Sequence, residues 1–184
     1  MPMTVVDSQG IADESLPVSE LAAHLRLADQ YESVPGQGAR LKLRLRAAIG
    51  AVERRLGKVL IRREFILAGE VKGGTRIVLP IAPVDSVISV SASRAGALLS
   101  LGKAMIEPDG HRPVAVMKHA INEGEWVRMT IHAGFGDWPE VPDALRQAVL
   151  LMAEALDAGD GPGLVPMAEA LVAPFRNIRV GSMG

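Results

Sequence analysis

The sequence predicts an α+β protein: a small α-helical bundle with an inserted antiparallel β-sheet and an extended C-terminal tail. Three observations support this prediction. Apolar residues recur at helical spacing over 17–57, alternate at strand spacing within 59–133, and return to helical spacing over 142–173, before a tail at 174–184. A chain of 184 residues is long enough to bury one core. We therefore expect a single domain that spans 1–184.

The most regular helical pattern covers 39–56. With successive residues about 100° apart, one set of apolar side chains shares a single face. This set is Leu41, Leu45, Ala48, Ile49, Val52 and Leu56. Gly57 is the predicted end of the helix, because glycine enters the left-handed conformation without a steric penalty. A shorter helix is predicted over 17–26 with Ser19 as its N-cap, and Pro142 is placed in the first turn of a later helix.

The middle of the chain is rich in residues that favour β-strands. The predicted strands are 60–67, 76–79, 84–91, 114–117 and 126–133. In the last of them Val127, Met129 and Ile131 alternate with polar residues, as in an antiparallel strand with one buried face. Turn-forming residues separate the strands, so the segment is predicted to fold as a small antiparallel sheet.

Motifs for catalysis and metal binding are missing from the sequence. The chain has no cysteine, and none of its four histidines lies three to five residues from another, the spacing expected of paired zinc ligands on a helix. There is no G-x-S-x-G motif, and the pair Gly134 and Gly136 lacks the lysine of a phosphate-binding loop, so it is interpreted as a turn. No apolar run approaches the length of about 18 residues that a membrane span requires. We expect no enzyme activity, no cofactor, no metal and no membrane.

A basic segment covers 40–63, where nine basic residues accompany one acid, Glu53, for a charge of about +8. The rest of the chain then carries about −9, so we expect regions of opposite charge. Two interpretations stay open. One is an inter-subunit basic face formed by Arg40, Arg44, Arg54 and Arg55; the other is a DNA-binding accessory protein that uses the basic helix over 40–58. Only six aromatic residues are available for base stacking, which favours the inter-subunit face.

The end of the chain combines an aromatic residue with positive charge. Phe175 follows Pro174, which ends a helical pattern, and is accompanied by Arg176 and Arg179. Such a segment can insert an apolar anchor into a partner and hold it by charge. A loose chain terminus is the other interpretation, because chain ends are commonly poorly ordered.

Five groups of short segments, taken in order, resemble the head-tail connector (adaptor) family of long-tailed phages. They are most similar to adaptors of alphaproteobacterial gene transfer agents and related prophages. The segments are 20–27 (ELAAHLRL), 51–53 with 57–61 (AVE and GKVLI), 79–80 with 83–87 (LP and PVDSV), 133–136 with 141–148 (AGFG and VPDALRQA), and 171–176 (LVAPFR). Together they span most of the chain.

The resemblance implies a structural protein in the capsid-tail neck of a virion or gene transfer agent particle, assembled in the bacterial cytoplasm. It implies a homo-oligomer, a dodecameric ring beneath the portal protein, with a stopper or other downstream neck or tail protein on its far side. DNA would pass through the lumen without sequence-specific binding, and we expect that the basic helix is not the main lining of that lumen. In such proteins the C-terminal segment reaches into the portal, which implies a portal-docking role for Pro174, Phe175, Arg176 and Arg179.

Overall fold

The computed structural model describes residues 3–28, 31–94, 97–158 and 163–176, and it confirms the α+β class. The chain divides into two compact units. The β unit consists of Met1–Gly10 and Ile61–Phe135, and the helical unit consists of Ile11–Leu60 and Gly136–Gly184. All described strands belong to the β unit and all described α-helices to the helical unit. The single domain over 1–184, with its predicted subdivisions, stays a prediction.

The β unit contains two antiparallel sheets. The larger sheet has the strand order β1-β2-β8-β4-β5, and the smaller has the order β3-β7-β6. The strands are β1 (Thr4–Ser8), β2 (Arg63–Glu70), β3 (Gly74–Val78), β4 (Val84–Arg94), β5 (Ala97–Gly102), β6 (Met105–Glu107), β7 (Val114–Ile121) and β8 (Trp126–Ala133). The predicted alternation is confirmed in β8, the central strand of the larger sheet, where Val127, Met129 and Ile131 are completely buried.

Three strands and several strand boundaries differ from the sequence prediction. No strand was predicted for β1, β5 or β6, and the predicted start of the first strand at Leu60 is wrong, because β2 begins at Arg63. All five residues of β1 are exposed, and five of the six in β5 are. An edge strand that buries neither face has no alternation of apolar and polar residues to detect.

The helical unit contains α1 (Val18–His24), α2 (Gln37–Leu56), α3 (Asp143–Ala158) and α4 (Leu164–Val172). The whole predicted apolar face of α2 is buried, and Gly57 ends this helix with φ of 66°. The predicted cap of α1 is wrong: Pro17 occupies the N-cap position and makes no side-chain capping bond, while Ser19 lies inside the helix. Among the described helices, none combines the length and the apolar character that crossing a bilayer requires.

The predicted turn at Gly134 and Gly136 is confirmed. Both glycines have positive φ, 133° and 139°. The Gly134 N–H donates to the carbonyl oxygen of Pro83 at 2.9 Å, and a Cβ atom at Gly134 would lie 2.5 Å from the backbone of Arg62. Only glycine fits this close approach of two backbone segments. After Gly136, a capping box between Asp137 and Glu140 holds a short 3-10 turn ahead of α3.

Candidate interaction surfaces

Two arginines of the predicted basic face meet at one carboxylate inside the helical unit. An Nη of Arg40 lies 2.7 Å from Oδ1 of Asp157 on α3, and Nε of Arg44 lies 3.8 Å from the same atom. Arg40 and Arg44 are four residues apart, so they occupy the same face of α2. Asp157 therefore offsets one of the two positive charges that Arg40 and Arg44 present.

The other two arginines of the predicted face, Arg54 and Arg55, lie almost three turns further along α2. Nε of Arg55 donates to Oε1 of Glu169 on α4 at 3.0 Å. Arg54 is exposed and has no ion pair with any residue in the part of the chain that the structure describes. The four arginines thus have different surroundings: two share Asp157, one pairs with Glu169, and Arg54 faces solvent.

A third ion cluster involves two further basic residues of α2. Lys42 donates to Oδ2 of Asp13 at 2.8 Å, and Arg46 pairs with the other carboxylate oxygen of Asp13. The hydrogen bond from Lys42, followed by that from Arg46, lowers the pKa of Asp13 to about 2. A guanidinium nitrogen of Arg46 also donates to the backbone carbonyl of Ile11 at 2.9 Å, so α2 holds the segment that precedes α1.

Each of the two units carries little net charge. The β unit contains nine basic and eight acidic residues, and the helical unit contains eleven basic and thirteen acidic residues. The acids that balance α2 come from positions far from it in sequence. Acids that the fold brings close to α2 therefore offset part of the positive charge of the basic segment.

Asp13 provides a test of this pairing. Because its pKa is depressed in the folded state, its contribution to stability is complete above its usual pKa near 4 and is lost as the pH falls toward 2. We expect the difference in melting temperature between the wild type and Asp13→Asn to be present at pH 6 and to shrink as the pH falls from about 4 to about 2. Glu14→Gln, the neighbouring exposed acid, serves as the control. A difference that stays constant over this pH range would contradict the assignment.

Helix α1 is attached by two polar contacts that the sequence analysis did not identify. Nε1 of Trp138 donates to Oε2 of Glu20 at 2.6 Å, and Nε2 of His24 lies 2.9 Å from Oε2 of Glu154 on α3. Trp138 itself is buried. The partners are 118 and 130 residues apart, so no local pattern in the sequence relates them. These contacts orient α1 within the helical unit.

The C-terminal part of the helical unit exposes apolar surface. Met167 on α4 is 57% exposed, Pro174 is exposed and Phe175 is half-buried in a 3-10 turn that follows α4. Arg176 is exposed next to them, and Arg179 lies outside the described residues. Pro174, Phe175 and Arg176 are consecutive in the chain, and apolar surface therefore lies next to a positive charge at this end of the helical unit.

Among the described residues no group of three or more histidine, cysteine, aspartate or glutamate side chains is arranged to hold a metal ion. The polar contacts described above are ion pairs and hydrogen bonds that join helices. These contacts hold elements of the fold together. The exposed apolar residues are instead of the kind found at protein interfaces.

The sequence matches no protein-family model and no curated protein. Solved structures do match it. A chain in the neck of an empty GTA (gene transfer agent) particle, computed with C6 symmetry, is 34% identical, with a TM-score of 0.80, over 99% of this chain and 98% of that one. The chain belongs to the neck proteins of gene transfer agents. This neck protein is a component of the particle, and the neck is its location.

Two further structures show the same similarity to the neck protein. A chain in the virion of a native gene transfer agent particle is 32% identical with a TM-score of 0.77, and a chain in the neck of a native GTA particle computed with C12 symmetry is 32% identical with a TM-score of 0.72. Both matches cover 99% of this chain and 98% of the other. The predicted resemblance to the head-tail connector family is thereby confirmed.

Proposed function

We propose that this neck protein is the adaptor of its particle, a ring of identical copies beneath the portal protein that forms a conduit for DNA. The observation that carries the proposal is the match over almost the whole of both chains to neck assemblies computed with C6 and C12 symmetry. A twelvefold arrangement would place the copies in one ring, with a stopper or other downstream neck or tail protein on the side away from the portal. The role is structural and needs neither catalysis nor a cofactor.

The surface of the neck protein is compatible with repeated contacts between copies and partners. Several large apolar side chains are exposed, on different elements: Leu43 on α2, Leu98 on β5, Met105 on β6 and Met167 on α4. Scattered apolar positions of this kind suit interfaces of moderate size. Many such interfaces on one multivalent template give an avidity that a single contact lacks.

The charge pairing of α2 supports a conduit that does not grip DNA. Asp157 lies beside Arg40 and Arg44, and Asp13 beside Lys42 and Arg46, so two carboxylates offset half of these four positive charges and weaken the attraction of this helix for phosphates. We propose that α2 lies away from the main lining of the lumen. Imaging that places Arg40 and Arg44 around the channel would contradict this.

Docking to the portal is proposed to involve Pro174, Phe175, Arg176 and Arg179. We expect Phe175→Ala to weaken attachment to the portal by about tenfold or more, because truncating a buried aromatic anchor at an interface costs about 2 kcal/mol or more. The measurement is co-assembly with purified portal protein, followed by imaging. Val78→Ala, an exposed apolar residue of the β unit, is the matched control. Equal co-assembly by both variants would contradict the docking role.

A salt titration separates the adaptor from a DNA-binding accessory protein that uses the helix at 40–58. We expect the isolated protein to bind duplex DNA no more tightly than about 1 μM at physiological salt, the range of non-specific contacts. Arg54→Ala, which removes an exposed arginine of α2 that pairs with none of the described acids, should reduce even this weak binding. Tight binding that falls steeply with salt would favour the accessory protein.

A further inference from the structure

The larger sheet of the β unit has two free edges among the described residues. β1 forms one edge and β5 forms the other. Each neighbouring pair in this sheet is antiparallel, so β1, β8 and β5 all run in the same direction. The outer side of each edge strand presents backbone N–H and C=O groups that no described strand pairs with.

The two edges differ in how they are protected. Natural proteins protect exposed edges with charges and bulges, or cover them. β1 carries Asp7 and is irregular between Val5 and Asp7. β5 carries no charged residue over Ala97–Gly102, and both Leu98 and Leu99 are exposed, on opposite faces of the strand. An uncharged, apolar edge of this kind is a ready template for pairing with another strand.

The apolar face of the sheet is incomplete at both edges. Residues that pair across neighbouring strands form two rows on this face. From β1 to β4 one row consists of Val5, Leu67, Met129 and Val90, and from β8 to β5 the other consists of Val127, Ala92 and Leu99. The inner residues of both rows are buried, whereas Val5 is 41% and Leu99 is 44% exposed. If the β1 edge of one molecule met the β5 edge of another, Val5 and Leu99 would bury each other and extend the apolar face across the junction.

We propose that β5 of one copy pairs with β1 of the next copy, so that the larger sheet continues from subunit to subunit around the ring. This inference rests on the proposed ring. A rotation about the ring axis keeps strand direction, and because β1 and β5 run the same way the junction is a parallel pair. Pairing two identical edges would instead be isologous and would close at two copies.

The charges beside the two edges also favour pairing of β5 with β1 of the next copy. Asp7 is exposed on β1, and Lys103 is exposed directly after the end of β5. In a parallel pair with Val5 beside Leu99, both charged residues lie toward the same end of the junction. Opposite charges at this end of the two neighbouring strands would favour the pairing.

The absence of cysteine from the sequence makes a direct test possible. The double variant Val5→Cys with Leu99→Cys places both thiols on the same face of the sheet. The two edges are four strand spacings apart, about 19 Å, so a disulfide within one copy is ruled out by geometry. A second same-face variant, Val5→Cys with Ala97→Cys, covers a register shifted by two residues. Val5→Cys with Leu98→Cys, on opposite faces, and each single variant are the controls.

The experiment oxidises the full-length variants after assembly with portal protein and runs them on a denaturing gel without reductant. We expect at least one same-face variant to lose its monomer band to a ladder with steps of 19.5 kDa. The opposite-face variant should remain monomeric, and single variants should give at most dimers. Thermal unfolding of each reduced variant checks that the fold is retained.

Imaging of the same samples tests the proposed ring separately from the proposed pairing of β5 with β1. Rings seen by imaging while both same-face variants stay monomeric would overturn the edge pairing and leave the ring intact. Missing rings together with a missing ladder would overturn both. A ladder that forms equally in the opposite-face control would also overturn the edge pairing, because it would show proximity without the proposed register.

Discussion

Gly134→Ala should destabilise the β unit by about 3–5 kcal/mol or prevent it from folding, the largest effect that we expect from a single substitution. Two costs combine at this position. Gly134 has φ of 133°, where an alanine is strained, and the new Cβ would lie 2.5 Å from the Cα and N atoms of Arg62. Both atoms are backbone, so no side chain can rotate away to make room. Urea or thermal unfolding measures the loss.

Gly57→Ala is the control that separates the two costs of Gly134→Ala. Gly57 also has positive φ, 66°, but a Cβ there would have no heavy atom within 4 Å. We expect this variant to lose only about 1 kcal/mol, the usual penalty of a left-handed residue. Equal losses at the two positions would contradict the close approach to Arg62 as the main cause.

Leu45→Ala should destabilise the helical unit by about 2–5 kcal/mol, because it removes a completely buried side chain from α2 and leaves a cavity. The matched control is Leu43→Ala, two residues earlier on the same helix, where the side chain is 66% exposed. We expect that variant to stay within about 0.5 kcal/mol of the wild type. Denaturant unfolding followed by helical circular dichroism is the measurement.

Similar losses from Leu45→Ala and Leu43→Ala in the isolated protein would show that the burial pattern of α2 is wrong. A reduced ring yield for Leu43→Ala with unchanged stability would instead assign Leu43 to an interface. The pair of variants thus separates the core of the helical unit from its contacts with other molecules.

The helices and the central strands could be predicted because their patterns are local. The apolar face of α2 follows from 3.6 residues per turn, and its end follows from the properties of Gly57. The alternation in β8 follows from a strand with one buried face. The edge strands β1 and β5 could not be predicted in this way, because nearly all of their residues are exposed and no alternation results.

The interaction surfaces were predicted less completely than the fold. Phe175 and Arg176 are found together after α4, where the sequence placed them. The basic face was predicted from charges that are neighbours along α2, but Arg40, Arg44 and Arg55 find their acids on α3 and α4. A count of charges along the chain carries no information about which acids the fold brings close.

The sequence by itself determined the α+β class, the apolar face of α2, the glycine turn at Gly134 and the resemblance to the head-tail connectors, since each depends on residues close together in the chain. Only the tertiary structure decided that Asp13, Asp157 and Glu169 pair with basic residues of α2, and that β1 and β5 are the edge strands of one sheet among the described residues. The physical reason is that ion pairs and strand order join residues distant in sequence, and no short-range period records them.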